Sequence, residues 1–137
     1  MFKSEYELVN NAIPLIEKFF NYDNGHLEII REPKGLFGVP DVLIYNGIII
    51  AIEFKLKNWR KAIKQAYRYK SFSYESYVIL DQDFISTAKK NISEFQRFNI
   101  GLCGIGKDYI VVYNKPKPKK PFDLDLRNKV YELLGIL

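Results

Sequence analysis

Residues 42–52 carry no charged side chain: Val-Leu-Ile-Tyr, then Asn46-Gly47, then Ile-Ile-Ile-Ala-Ile. β-Branched and aromatic residues on either side of an Asn-Gly pair predict two antiparallel strands, at about 39–45 and 48–55. Acids bound this apolar stretch, with Pro40-Asp41 before it and Glu53-Phe54-Lys55 after it. Charges in a strand-rich core are costly unless they are paired or hold a metal. Two carboxylates could bind a hard divalent cation, which would polarise a phosphodiester and acidify a water. Lys55 could orient that water or offset developing negative charge.

The chemistry imposes a condition on the hairpin. Glu53 and Lys55 are two apart and share a strand face with Ala51 and Ile49. A two-residue Asn46-Gly47 turn would set Tyr45 opposite Ile48 and Asp41 opposite Ile52, turning Asp41 away from Glu53. A three-residue loop, Tyr45 to Gly47 with Gly47 left-handed, would set Asp41 opposite Ala51 and restore the shared face. A β-bulge would do the same. One of these two devices is predicted.

The rest of the chain supplies elements around this hairpin. An amphipathic helix is predicted over 4–20, with Ser4 as its N-cap and Pro14 as a point of kinking. A turn at 21–25, a strand at about 27–32 and a Gly-containing loop at 33–38 follow. A basic helix is expected at 57–71, a short strand at 77–80, a helix at 85–97, and a strand pair at 100–105 and 108–113. A stiff, extended basic and proline-rich connector covers 115–121. A last helix at 123–135 offers Leu126, Val130, Leu133 and Leu134 for packing on the domain or on a partner subunit. This order predicts one α/β domain over 1–137, with its core at about 4–113 and a mixed sheet in a three-layer arrangement.

Composition narrows the function classes. One cysteine, Cys103, excludes an internal disulfide framework and a four-cysteine cluster; one histidine, His26, excludes a histidine-based metal site. Cys103 reads as a small core residue, and His26 as a surface or capping residue. No apolar run is long enough to span a bilayer and the N-terminus lacks a signal-peptide core, which predicts no membrane partner and a cytoplasmic location. Lys+Arg 21 against Asp+Glu 16 leaves a net charge of only +5. Yet from Lys55 to Lys70 seven basic residues occur with no acid, among them Lys57, Arg60, Lys61, Lys64 and Arg68. Such a stripe is either a solvated helix face or a footprint for a phosphate backbone.

Two more positions bear on the trio. Gln65 and Tyr69, at i and i+4 on the basic helix, either are ordinary packed side chains or support metal ligands or a phosphate. Glu5 falls in phase with Leu8, Val9 and Ala12 on the apolar stripe of the first helix. It is either a third metal ligand or a favourable charge at a helix N-terminus.

Taken together, Pro40-Asp41 and Glu53-Phe54-Lys55 resemble the signature of the PD-(D/E)XK nuclease superfamily, the restriction-endonuclease-like fold. Gln65-Ala66-Tyr67-Arg68-Tyr69 is similar to the Gln-x-x-x-Tyr motif of RecB-type nucleases. Glu5-Tyr6-Glu7-Leu8-Val9 is similar to the first-helix acidic motif of archaeal Holliday-junction resolvases. The resemblance implies an αβββαβ core from about residue 4 to 81, elaborated by a C-terminal strand pair and helix. It also implies a Mg²⁺-dependent deoxyribonuclease, with Mn²⁺ as a substitute. Asp41, Glu53 and Glu5 would bind metal, Lys55 would position water, and Gln65 and Tyr69 would support them. DNA is the implied partner, and a homodimer would suit paired cuts or junction resolution. Two alternatives stand beside it: a non-catalytic nucleic-acid-binding module on the same fold, and a sequence-specific restriction-like endonuclease.

Overall fold

Strand β3 (Ile49–Lys55) is the spine of the molecule, and its residues from Ile49 to Phe54 are buried. The computed structural model describes residues 1–21 and 27–136. Side chains of β3 alternate between two apolar layers, as a strand period of two requires. Ile50, Ile52 and Phe54 pack with Leu8, Ala12 and Ile16 of α1 (Glu5–Phe19). Ile49 and Ala51 pack on the other face with Tyr69 of α2 (Trp59–Tyr69) and with Val130 and Leu134 of α5 (Leu124–Leu133). Full burial of each such isoleucine is worth about 1.5–3 kcal/mol.

Among the described residues one six-stranded mixed sheet runs in sequence order: β1 (Glu28–Arg31), β2 (Val42–Tyr45), β3, β4 (Glu75–Asp81), β5 (Gly101–Ile105) and β6 (Ile110–Asn114). β1, β2 and β3 are antiparallel neighbours, β3–β4 and β4–β5 are parallel, and β6 is again antiparallel. Helix α1 covers one face. Helices α2, α3 (Ser86–Lys90), α4 (Ile92–Phe98) and α5 cover the other, so the architecture is a three-layer α/β sandwich. Among the described residues no helix is long and apolar enough to cross a membrane.

Several local expectations are met. Ser4 caps α1 by accepting a hydrogen bond from the Glu7 amide at 3.1 Å, and α1 continues through Pro14. Cys103 is buried in the sheet, its thiol pushed up to about 12 by that burial. α5 docks on its own domain through Leu126, Val130 and Leu134, whereas Leu133 is exposed. The 115–121 connector is strapped down along its length. Lys117 exchanges two hydrogen bonds with the Asn99 side chain, and Lys119 N–H donates to the Tyr74 carbonyl.

Two expectations need correction, and one lies outside the described residues. The helix predicted over 85–97 is broken: a 3₁₀ turn at Gln82–Phe84 leads into α3, and Asn91 separates α3 from α4. The Asn91 side-chain amide donates back to the Thr87 carbonyl at 2.8 Å, a local bond that competes with helix continuation. Lys70, the last residue of the basic stripe, is buried. Its ammonium donates to the Phe98 carbonyl at 3.0 Å, and burial lowers its pKa. His26 and most of the expected 21–25 turn lie outside the described residues.

Candidate active site at the end of β3

The hairpin geometry decides whether Asp41 and Glu53 can act together. Val42 pairs with Ile52 and Tyr45 with Ile49, so the loop is Asn46–Ile48, three residues, with Gly47 at φ +113° in the middle. Loop length and the left-handed glycine follow the prediction, but the loop lies one residue later. Tyr45 stays in the ladder, where its ring meets Tyr131 of α5 edge-on at 6.2 Å. Asn46 enters the loop instead and donates its side-chain amide to the Phe20 carbonyl at 2.8 Å. Continuing the register therefore sets Asp41 opposite Glu53 itself rather than opposite Ala51, and the shared face is kept.

The two carboxylates sit in different cradles. Asp41 follows buried Pro40 and accepts a hydrogen bond from the Phe54 amide at 2.8 Å. Its pKa is nevertheless raised, by burial first, with the Glu5 charge adding to the effect. Glu53 is 3% exposed, and burial followed by the Asp41 charge pushes its pKa up to about 8. The Glu53 carboxyl therefore binds a proton far more readily than an ordinary glutamate.

Tyr69 ties this carboxyl to the loop before Asp41. Its hydroxyl oxygen is 2.6 Å from Glu53 Oε1 and 3.0 Å from the Val39 carbonyl. The hydroxyl donates to Glu53 at the shorter distance, with the Val39 carbonyl as its second acceptor. The phenol itself is kept neutral by burial and by its bond to Glu53. Gly38 makes this closeness feasible. Its φ is +86°, and a Cβ there would lie 3.0 Å from the Tyr69 ring.

Lys55 ends β3, and its ammonium lies 3.9 Å from Glu53 and 3.8 Å from Glu5. Alternation puts Lys55 on the Glu53 face, so its stem turns around the strand end to meet the N-terminus of α1. Glu5 thus differs from expectation. It is exposed rather than aimed into the core, and its carboxylate is held by Lys55. Its charge still raises the pKa of both Asp41 and Glu53.

Gln65 stands one helical turn before Tyr69 on the same face of α2. Its Oε1 is buried and finds no hydrogen-bond partner among the described residues. Such an orphaned acceptor costs about 1–3 kcal/mol. The basic residues Lys57, Arg60, Lys61, Lys64 and Arg68 are all exposed. Lys57 lies 5.7 Å above the Phe84 ring and Arg60 4.2 Å above the Trp59 ring.

Among the described residues no three Asp, Glu, His or Cys side chains are gathered as a ready metal cage. What is present is a pair, Asp41 and Glu53, with Glu5 beyond Lys55. A pair suffices for Mg²⁺, which commonly takes one or two carboxylates and completes its shell with waters and phosphate oxygens. The proton affinity of both acids is raised by burial first, with neighbouring carboxylate charge adding to it.

Structure also adds residues that sequence reasoning missed. A cleft of about 190 Å³ at Asp41 is lined by Glu5 and Tyr6 of α1, by Arg31 at the end of β1 and by Glu32 after it. Arg31 donates to the Asn10 side chain at 2.9 Å, and Glu32 donates its amide to the Asp41 carbonyl at 3.1 Å. The one local signal was the polar Arg-Glu-Pro punctuation ending β1, which carries no motif.

No family model and no curated protein matches the chain. Its fold is similar to that of a protein of unknown function from Silicibacter pomeroyi, with 14% identity and a TM-score of 0.66. That match covers 98% of this chain and 85% of the other, so the shared plan includes the connector and α5. At that identity the likeness concerns the fold alone.

Proposed function

We propose that this protein is a metal-dependent deoxyribonuclease that hydrolyses DNA phosphodiester bonds, with junction or branched DNA as the structure-specific substrate class. The observation that carries this reading is the Asp41–Glu53 pair: two facing, partly dehydrated carboxyls of raised pKa with the Lys55 ammonium 3.9 Å from one of them. Asp41 and Glu53 would hold Mg²⁺ or Mn²⁺, releasing the Glu53 proton as they do so. When bound, the ion supplies a polarised phosphate and a water acidic enough to ionise near neutral pH.

The chain's own groups do the rest. The Phe54 amide fixes Asp41, and Tyr69 fixes Glu53. Lys55 positions the attacking water or offsets charge building on the phosphate, while Glu5 holds Lys55 over the strand end. Gln65 is available to accept a hydrogen bond from a water or a substrate group. Lys57, Arg60, Lys61, Lys64 and Arg68 attract the phosphate backbone. Cutting two strands of one substrate would use a homodimer.

The test is cleavage of branched, single-stranded and duplex DNA with Mg²⁺ or Mn²⁺. Cleavage should require the metal and disappear in Asp41→Ala/Glu53→Ala. Activity that survives the double substitution rejects the mechanism. DNA binding without any metal-dependent cut would identify a non-catalytic binding module instead.

A further inference from the structure

A groove of about 630 Å³ lies between α2 and α4, away from the carboxylates. Its floor is apolar, with Ile63 of α2 and Phe98 of α4, and Arg60, Lys64 and Arg68 line it with positive charge. Those three residues recur every four positions, so they step along α2 by about 6 Å each. That is close to the spacing of neighbouring phosphates on one extended strand. The Arg60 guanidinium carbon lies 4.2 Å from the Trp59 ring centroid, and the residue is exposed; a guanidinium on an aromatic face can still offer N–H donors to phosphate oxygens. One acid, Glu94, sits opposite on α4.

The groove ends in an exposed aromatic pair. Tyr67 is 43% exposed and Phe122 61%, with ring centroids 6.0 Å apart. Tyr67 also meets Phe98 edge-on at 5.6 Å. Lys70 braces the pair from within, its ammonium 5.8 Å from the Tyr67 ring and 5.9 Å from the Phe122 ring. Buried and bonded to the Phe98 carbonyl, Lys70 makes the platform rigid rather than serving as a free cation.

Helix geometry links groove and active site. At about 100° per residue, Lys61 and Arg68 follow the inward-facing Gln65 and Tyr69 around α2. Lys64, Arg60 and then Tyr67 come next. A polyanion leaving the carboxylates therefore meets continuous positive charge as far as the aromatic platform.

We propose that the α2–α4 groove binds single-stranded DNA, with its phosphates on Arg60, Lys64 and Arg68 and an unstacked base on Tyr67 and Phe122. The proposal rests on the nuclease reading and makes it specific: the substrate presents a single strand beside the cut. Charge decides for a polyanion, and exposed rings decide for unpaired bases, because a duplex hides its base faces.

The experiment is fluorescence anisotropy of a labelled oligothymidylate with the full chain in EDTA, against a duplex of equal length. The single strand should bind more tightly than the duplex. Tyr67→Ala should weaken it by about tenfold or more, with Phe122→Ala as a second variant and Tyr67→Phe retaining affinity. Lys64→Ala/Arg68→Ala should flatten the salt dependence, the slope of log affinity on log salt falling by about 0.7 for each phosphate no longer neutralised. Equal duplex binding with Tyr67→Ala inert would overturn the proposal, as would displacement of the oligonucleotide by a lower concentration of an acidic amphipathic peptide. Cleavage with Mg²⁺ is read separately. Groove-dependent binding by a chain that cuts no DNA overturns the nuclease reading and keeps the groove. Cleavage by a chain whose Tyr67→Ala variant binds the single strand unchanged overturns the groove alone.

Discussion

Adjacent parallel strands, β3 and β4, each carry a buried acid toward the same end of the sheet, and the two acids are treated in opposite ways. Asp81, which ends β4, is 2% exposed and accepts hydrogen bonds from the Phe2 amide at 2.8 Å and the Asp83 amide at 2.9 Å. Glu53 on β3 is as buried, yet it faces Asp41 across the hairpin and reaches Lys55 only at 3.9 Å. Asp81 is built into backbone turns, with one amide on each carboxylate oxygen. Glu53 is bonded by the Tyr69 hydroxyl and has the Lys55 ammonium at 3.9 Å, with no backbone amide on its carboxyl among the described residues. The proposed metal site rests on this contrast: burial and then the Asp41 charge raise the Glu53 pKa, whereas two backbone amides meet Asp81.

This contrast bears most heavily on activity. Asp41→Asn or Glu53→Gln should each reduce metal-dependent cleavage by about 10²–10³-fold or more, the scale of removing a preorganised charge from a reaction centre. Asp81→Asn should leave the rate of the folded protein within a few-fold and instead lower stability by about 1–3 kcal/mol. Steady-state cleavage and denaturant melts on the same three variants check both halves. Swapped phenotypes would reverse the assignment of the two acids.

Stability against pH tests the Glu53 side of this contrast. An unfolded glutamate titrates near 4.5, and Glu53 in the folded chain titrates at about 8. Below 4.5 both states hold the proton. Between those values only the folded state holds it, so rising pH costs the folded state about 1.4 kcal/mol per unit. Above 8 the loss is complete. Metal-free protein should therefore lose a few kcal/mol across this window, and Asp41, also raised, acts in the same direction. Glu53→Gln should flatten the curve and raise the melting temperature at pH 8, as read by thermal denaturation across pH.

Tyr69→Phe should have a smaller effect. Removing the hydroxyl frees Glu53 and the Val39 carbonyl together, with about a 10- to 100-fold loss in metal affinity or activity. The fold should lose only about 1 kcal/mol. Titration of activity with Mn²⁺ separates these outcomes, because high metal should rescue part of the rate.

How much of this was legible in the chain follows from how local each cause is. The apolar 42–52 stretch and its bounding acids announced the hairpin and the pair, because strand alternation and turn chemistry act over a few residues. The odd loop length was forced by requiring both acids on one face, but its exact start depended on Tyr131 and Phe20, distant partners of Tyr45 and Asn46. Asn91 broke a helix through one side-chain bond that periodicity does not register. Lys70 read as one more cation on a stripe until α4 and the connector buried it. Glu5 lay in phase with the core stripe, yet at the first turn of α1 the sheet has ended and Lys55 is the neighbour it finds. The groove required α4 to be packed beside α2, which no spacing within either helix states.

The most direct measurement is calorimetric titration of Mn²⁺ into the full chain at pH 7 in two buffers of different ionisation heat. A metal site at Asp41 and Glu53 requires one ion bound per chain, release of close to one proton, loss of that release near pH 9, and no such binding in Glu53→Gln or Asp41→Asn. Mn²⁺ binding that persists unchanged in both variants, or no binding even with DNA present, would rule that site out.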